Sequence, residues 1–406
     1  MTALQSRLST LTQGLLTLGS GDEAIHNAVV AVTWRGEHTA AAAGRARADS
    51  PAPMRPDTQF HIASVAKPMT AALIFRACEA GKFGPAGIDT RLIDTGVLPH
   101  DVCARLLVVA DRLVGGELTL RQLLTHTSGM RDTQVDDGDG TAEQHGRMAP
   151  NGIAGSRARD MPQHMAALAE GRTPDPTLLT RKSWRPWDAA QPQDRWAGLI
   201  NYYLNTPGMT RALTPPGTAF HYSDTAFMLL ALLAEHALGA SYHRLLRREI
   251  FDPIGMNASY LDSFSDLDPS PWRHVVSDCW AGSTPIVSSG ISLSNDWGGG
   301  GIISTATDLN KFLAGLLDGR LFTRPATLDA MLTWQEPMGR PDRYTRVGHG
   351  IFTFTTPAGR IAIGHSGAWG AKMLAVPDQQ FILSGTVNRR GASGTWALEM
   401  IDQLLD

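Results

Sequence analysis

A serine and a lysine stand three residues apart in Phe60-His61-Ile62-Ala63-Ser64-Val65-Ala66-Lys67, where an apolar stretch with helical character begins. Residues at i and i+3 share a helix face with Cβ atoms about 5–6 Å apart, so the Lys67 amine can sit beside the Ser64 hydroxyl and take its proton. A free lysine titrates near about 10.4, so Lys67 serves as a base only if burial or neighbours bring it toward neutrality. A serine in the first turn also meets the positive end of the helix dipole, with its backbone N–H free to face an oxyanion. Any helix start can carry such a pair by chance, and its meaning depends on partners elsewhere in the chain.

Four further motifs supply candidates. Leu123-Leu124-Thr125-His126-Thr127-Ser128-Gly129-Met130 closes a helix with small polar residues, and His126 is expected to stabilise the turn at Ser128-Gly129. Phe220-His221-Tyr222-Ser223-Asp224 follows the turn at Thr214 to Gly217 and precedes a helix. Gly298 to Gly301 reads as a tight turn; no Gly-Lys-Ser/Thr follows it, so it is not a phosphate loop. Gly364-His365-Ser366-Gly367-Ala368-Trp369-Gly370 lies between two expected strands. The acidic run Asp136 to Gly140 reads as a solvated loop, lacking the downstream glutamate of a calcium site. No cluster of His, Cys or carboxylates has zinc spacing, and neither metal nor cofactor is expected.

In this order the motifs resemble those of the serine beta-lactamase and penicillin-recognising family, in its class C beta-lactamase, D-aminopeptidase and family VIII esterase branch. Ser64-Val65-Ala66-Lys67 is similar to the family's first motif, Tyr222-Ser223-Asp224 to Tyr-x-Asn, and His365-Ser366-Gly367 to the position usually written Lys-Thr-Gly. The resemblance spans nearly the whole chain. It implies an α/β (α+β) fold of the beta-lactamase/transpeptidase type: an antiparallel sheet from both termini, flanked by helices, with an inserted mostly helical domain. It also implies an oxyanion hole made by the N–H groups of Ser64 and Ala368.

Acyl transfer needs a nucleophile, a base, donors for the oxyanion and an acid for the leaving group. Ser64 is the expected nucleophile, Lys67 the base and Tyr222 the proton relay, with His365 a further member of the catalytic set. Asp224, Ser366, Gly367, Trp369, Trp184 and Trp187 are expected to contact substrate. Two departures from the family pattern carry information. Asp224 replaces an asparagine, which places a carboxylate where it would hold Lys67 charged or bind a cationic substrate group. His365 replaces a lysine, which removes a permanent cation that would grip a substrate carboxylate. Both argue against beta-lactams and toward neutral esters, amides or amino-terminal D-residues.

These groups must be positioned by regular elements. Ala28 to Trp34 and His38 to Gly44 read as a hairpin; Gly350 to Thr355, Arg360 to Gly364, Lys372 to Val376 and Phe381 to Val387 read as further strands; and Thr395 to Leu405 reads as a final helix. Thr119 to Gln122 fits a capping box, Thr305 to Asp308 starts a helix to Leu317, and Thr225 to Leu238 is a helix stopped by Gly239. The expected division is a sheet domain at 1–62 and 335–406 and a helical domain at 63–334. Within the latter, about 131–214 is an aromatic, Gly- and Pro-rich insertion with lid character, bearing Trp184, Trp187, Trp196, Tyr202 and Tyr203.

The 406 residues suffice for a sizeable core. A net charge of -3 leaves no basic footprint for nucleic acid or an anionic membrane. Three cysteines, Cys78, Cys103 and Cys279, do not make a disulfide framework. Leucines at 4, 8, 11, 15 and 18 have amphipathic spacing rather than that of a signal peptide, and a cytoplasmic protein is expected. The expected function is a serine hydrolase that cleaves a small-molecule ester or amide through an acyl-Ser64 intermediate. Acyl transfer by the same intermediate and D-aminopeptidase or D-amino-acid amidase activity are the alternatives, and a non-enzymatic relative is least favoured.

Overall fold

The computed structural model describes residues 2–133, 136, 203–204, 208–262, 275–290, 293, 297–336, 344–392 and 394–406. Helix α1 (Ala3–Gly14) is capped by the Thr2 side chain, which accepts from the Gln5 N–H. Strands β1 (Asn27–Trp34) and β2 (Glu37–Gly44) follow, joined through Arg35 and Gly36 at φ 49° and 84°. That left-handed pair is what a two-residue hairpin turn requires. Short strand β3 (Phe60–His61) leads into α2 (Lys67–Glu79), and α3 (Leu120–Leu124) starts at the expected capping box of Thr119 and Gln122. Helix α4 (Asp224–Leu238) ends at Gly239 with φ 68°. Then come β4 (Tyr260–Leu261), the glycine turn α5 (Trp297–Gly300), β5 (Ile302–Ser304) and α6 (Ala306–Leu317), capped by Thr305. The chain closes with β6 (Arg346–Val347), β7 (Phe352–Thr355), β8 (Ile361–Ser366), β9 (Lys372–Val376), β10 (Phe381–Thr386) and α7 (Trp396–Leu405).

The two ends of the chain meet in one seven-stranded sheet of order β6-β7-β8-β9-β10-β1-β2, antiparallel at every pairing. Alternation along the strands sorts the side chains onto two faces. Val30, Val32, Leu374 and Leu383 face α1 and α7, where they pack with Leu8, Trp396, Met400 and Ile401. Val29, Ala31, Met373 and Ala375 turn the other way, into the core shared with α2, α4 and α6. Each buried Val, Leu, Ile or Met among these contributes about 2 kcal/mol before the cost of ordering it. A three-stranded sheet of order β3-β5-β4 carries the chain into α2.

Two strand boundaries differ from the sequence reading by two residues, the others by one at most. Gly350 sits in a turn at φ 72°, so β7 begins only at Phe352. Strand β8 runs past Gly364 because His365 pairs with Met373 and Ser366 with Lys372, so the His-Ser motif lies on the strand and not after it. Most of the insertion expected at 131–214 lies outside the described residues. Tyr203, which is described, is fully buried in the main core.

The β6–β7 turn ties the sheet to the helices. The Gly350 N–H donates to the Leu124 carbonyl at 2.9 Å, and a Cβ at Gly350 would come within 2.9 Å of Ala71 Cβ. Beside it, His349 is buried, its N–H donating to the Met331 carbonyl, its Nε2 3.3 Å from Arg121 and its ring edge-on to Phe75. Burial first, and then the Arg121 charge, push the imidazole down to about 4. Between its ordinary value near 6.5 and about 4, the unfolded chain therefore binds a proton that the folded chain refuses, and stability falls as pH falls through that window. A His349→Gln variant should lose about 2 kcal/mol less stability between pH 7 and pH 5 than the parent. Denaturant melts at the two pH values measure this; equal losses would show that His349 does not carry the dependence.

Candidate active site

The Ser64 segment is held by backbone pairing and local strain. Phe60 and His61 pair with Ser304 and Ile303 on β5, and the Ile62 N–H donates to the Ile302 carbonyl at 3.1 Å. The chain then bends into a 3-10 turn, Ala63–Ala66, with Ala63 at φ 48°. A left-handed alanine costs about 1–2 kcal/mol. Packing fixes it, since Ala63 is buried against Cys279 and Trp369. Ser64 itself remains partly exposed at the entrance to α2.

Lys67, the first residue of α2, is fully buried. Its Nζ lies 3.0 Å from Ser64 Oγ and 2.7 Å from the Gly299 carbonyl, and it pairs with the Asp224 carboxylate. Three partners suit an ammonium with three donors. The same arrangement suits a neutral amine that donates to Gly299 and Asp224 and turns its lone pair to the serine hydroxyl.

The glycine run is more than the tight turn the sequence implies. A Cβ at Gly298 would fall 2.3 Å from Ala231 Cβ on α4, and one at Gly299 would come 3.1 Å from an Asp224 carboxylate oxygen. Only bare backbone lets α5 slide under α4 so closely. The approach delivers two carbonyls into the core: Gly299 to Lys67, and Gly298 to the Thr70 hydroxyl at 2.8 Å.

Asp224 opens α4 behind the Ser223 cap, whose hydroxyl accepts from the Ala226 N–H. The Asp224 N–H donates to the Asp132 carboxylate at 3.0 Å, so two carboxylates gather at the positive end of the helix. One oxygen of the Asp224 carboxylate pairs with Lys67, which is the first of the two uses the sequence suggested for it.

Tyr222 is part-exposed as a residue, but its hydroxyl is enclosed. Burial, the neighbouring Asp224 charge and Tyr344 push the phenol well above its ordinary value. The hydroxyl meets no partner in good hydrogen-bond geometry, although Ser64 lies near enough to offset part of that shift. Tyr222 therefore stays a neutral phenol at ordinary pH, able to donate. Lys67 Nζ is 4.9 Å from the centre of its ring.

His365 on β8 is buried, its ring 6.4 Å from Tyr222 and 4.9 Å from Phe352. A Cβ at Gly367 would meet the Ile62 carbonyl at 2.3 Å, so the end of β8 lies directly against the turn that carries Ser64. Ser366 and Gly367 are part-exposed there and Ala368 is exposed. The N–H groups of Ser64 and Ala368 donate to no backbone carbonyl among the described residues. Ser64, Lys67, Tyr222, Asp224 and the His365 to Ala368 segment are thus brought together.

Three expectations need correction. Trp369 is 4% exposed and packs with Ala63, Cys279, Ala281 and Ile286, with the Arg390 guanidinium over its ring; it supports the Ser64 turn and does not line a substrate pocket. His126 does not hold the Ser128-Gly129 turn; its Nδ1 accepts from the Ser223 N–H at 3.1 Å, and the turn is held by Ser128 Oγ instead. Asp136, read as part of a solvated loop, is buried and accepts from the Asp132 N–H and from His221. Trp184 and Trp187 lie outside the described residues. Asp132, Thr70 and the Gly299 carbonyl were missed. The glycine run signalled the last, whereas nothing local marks Asp132.

No group of three or more His, Cys, Asp or Glu among the described residues could hold a metal ion. No single described helix is long and apolar enough to cross a membrane.

A seven-stranded antiparallel sheet between helices, with a serine and a buried lysine beside the end of its strand β8, defines the beta-lactamase/transpeptidase-like class of serine hydrolases. The chain belongs to the Beta-lactamase family, whose model matches residues 12–399. A human protein, beta-lactamase-like 1, is 30% identical over 140 residues, a stretch that spans 34% of this chain and 27% of that protein. Among solved structures, the chain is similar to D-amino acid amidase from Ochrobactrum anthropi SV3 (19% identity, TM-score 0.69, covering 100% of this chain and 98% of that one). It is also similar to a penicillin binding protein from Bacillus halodurans (19% identity, TM-score 0.62, covering 100% of both).

Gly298→Ala should destabilise the protein by about 2 kcal/mol through overpacking against Ala231. Adding Ala231→Gly should restore much of the loss. A thermal melt of Gly298→Ala that matches the parent would show that α5 and α4 are not in contact there.

Proposed function

We propose that the chain hydrolyses an ester or amide of a small molecule through an acyl-Ser64 intermediate. The observation that carries this reading is the buried Lys67 amine 3.0 Å from the Ser64 hydroxyl, with the Tyr222 phenol enclosed beside it. As a neutral amine, Lys67 takes the Ser64 proton while Oγ attacks the carbonyl carbon. The oxyanion faces the N–H groups of Ser64 and Ala368, whose lack of backbone partners among the described residues supports this use. The phenol of Tyr222 protonates the departing alcohol or amine and is refilled from the Lys67 ammonium. Water then attacks the acyl carbon, gives up a proton along the same path and frees Ser64. His365, in place of a lysine, lies buried beside Tyr222, and the part-exposed Ser366 and Gly367 face the substrate along the end of β8.

Esterase action on a neutral substrate is the leading form of this reading, supported by His365 standing where a fixed cation would hold a carboxylate. Hydrolysis of a D-amino acid amide is the second form, supported by the fold likeness to D-amino acid amidase. Transfer of the acyl group to another alcohol or amine would use the same intermediate. The substrate is the only partner proposed, and the free Cys78, Cys103 and Cys279 support a reducing compartment such as the cytoplasm.

Turnover of nitrophenyl butyrate should fall at least about a thousandfold in Ser64→Ala; a variant that keeps the parent's rate would end this assignment. Tyr222→Phe should lose about a hundredfold or more on an alkyl ester or on phenylalanine amide, and much less on the nitrophenyl ester. A nitrophenolate leaves without a proton, so equal losses on both kinds of substrate would remove Tyr222 as the donor. Testing D- and L-phenylalanine amide together separates the two forms, since the amidase form requires turnover of the D-amide.

A further inference from the structure

His126 touches the peptide on both sides of Tyr222. Its carbonyl accepts from the His221 N–H at 2.7 Å, and its Nδ1 accepts from the Ser223 N–H at 3.1 Å. Between these two bonds, its ring lies against the Tyr222 ring, with centroids 4.3 Å apart and planes 20° apart. Phe227, Phe220 and Phe352 close around the same imidazole at 5.0, 5.6 and 6.0 Å.

An apolar side chain would fill that aromatic cage more simply. The imidazole is fully buried, and because Nδ1 is an acceptor its hydrogen is on Nε2, which has no hydrogen-bond partner among the described residues. It also sits at φ 57°, a conformation that β-carbon residues avoid. What the strained backbone provides is the direction of the His126 carbonyl toward His221; what the imidazole provides is the Nδ1 acceptor for Ser223. The backbone behind it is anchored, since the Thr127 N–H donates to the Gln122 carbonyl at 2.9 Å and the Thr127 carbonyl accepts from the Gly217 N–H at 2.7 Å. Burial, then Lys67, His365 and His221, hold the imidazole well below its ordinary value, so it remains the neutral acceptor this arrangement needs.

We propose that His126 is a positioning residue for Tyr222, gripping the main chain on both flanks of the phenol and supplying the ring against which it rests. This rests on the reading above in which Tyr222 donates the proton to the leaving group. The role differs from general packing because it acts on the rate through one side chain.

The test is a double-mutant cycle on an alkyl ester, with thermal melts of every variant. His126→Phe keeps the stacked ring and removes the Nδ1 acceptor; His126→Asn keeps an acceptor and tolerates positive φ but removes the ring. Each should lower kcat about tenfold or more with KM within about twofold, because a small displacement of an acid costs rate rather than binding. In a Tyr222→Phe background, neither should lower kcat further by more than about twofold. If His126→Phe does not melt cooperatively, the cycle with His126→Asn decides alone. The same loss in both backgrounds, or a rise in KM with kcat unchanged, overturns the positioning role while leaving Tyr222 as the donor. Full activity in Tyr222→Phe itself overturns the donor reading and the positioning role with it.

Discussion

Everything near the nucleophile is arranged around one buried nitrogen. Lys67 Nζ has lost all contact with solvent and is repaid by Ser64, Asp224 and the Gly299 carbonyl. Removing an ion from water costs several kcal/mol, and an unpaired ammonium at this depth would be untenable. Its partners come from segments 157 and 232 residues away, so the folded chain must bring α4 and the glycine turn to α2 before the lysine can be accommodated. A requirement of that kind selects one arrangement of the helices more than it stabilises it, since breaking the pair is costly while the intact pair returns little net energy. The close approach of Gly298 to Ala231 and the carboxylate at the first turn of α4 are both consequences of that demand.

The sheet meets the helices where Gly367 abuts the Ile62 carbonyl, which sets the end of β8 beside Ser64. Ala63, held left-handed by packing on Cys279 and Trp369, turns the serine outward at the same place. Strain and close contact are thus concentrated around the one residue that must be both fixed and reachable.

Much of this was legible in the sequence because it is local. The short apolar runs of β1, β9 and β10, the Thr119–Gln122 capping box, the Thr305 cap and the stop at Gly239 are written within a few residues of where they act. The pairing of Ser64 with Lys67 is equally local, one turn of helix. What escaped depends on contacts between distant segments. Four consecutive glycines signal only that side chains are forbidden, not that α4 lies above them. Trp369 follows the last paired residue of β8, so no alternation remains to say which way it faces, and it turned inward. His126 sits in a turn-like motif, and only the fold shows that its bonds reach His221 and Ser223.

The charge balance bears on what the site can accept. Lys67 brings one positive charge to Ser64, but Asp224 is in direct contact with it, and Asp132 holds the Asp224 N–H just behind. At the third motif, where a lysine would add a second cation, there is His365. Among the described contacts of Lys67, the one cation beside Ser64 is thus matched by the Asp224 carboxylate, with Asp132 close behind. At positions 224 and 365, then, the chain carries a carboxylate against Lys67 and an imidazole where the family pattern has a lysine, and the two changes bear on the same charge balance beside Ser64.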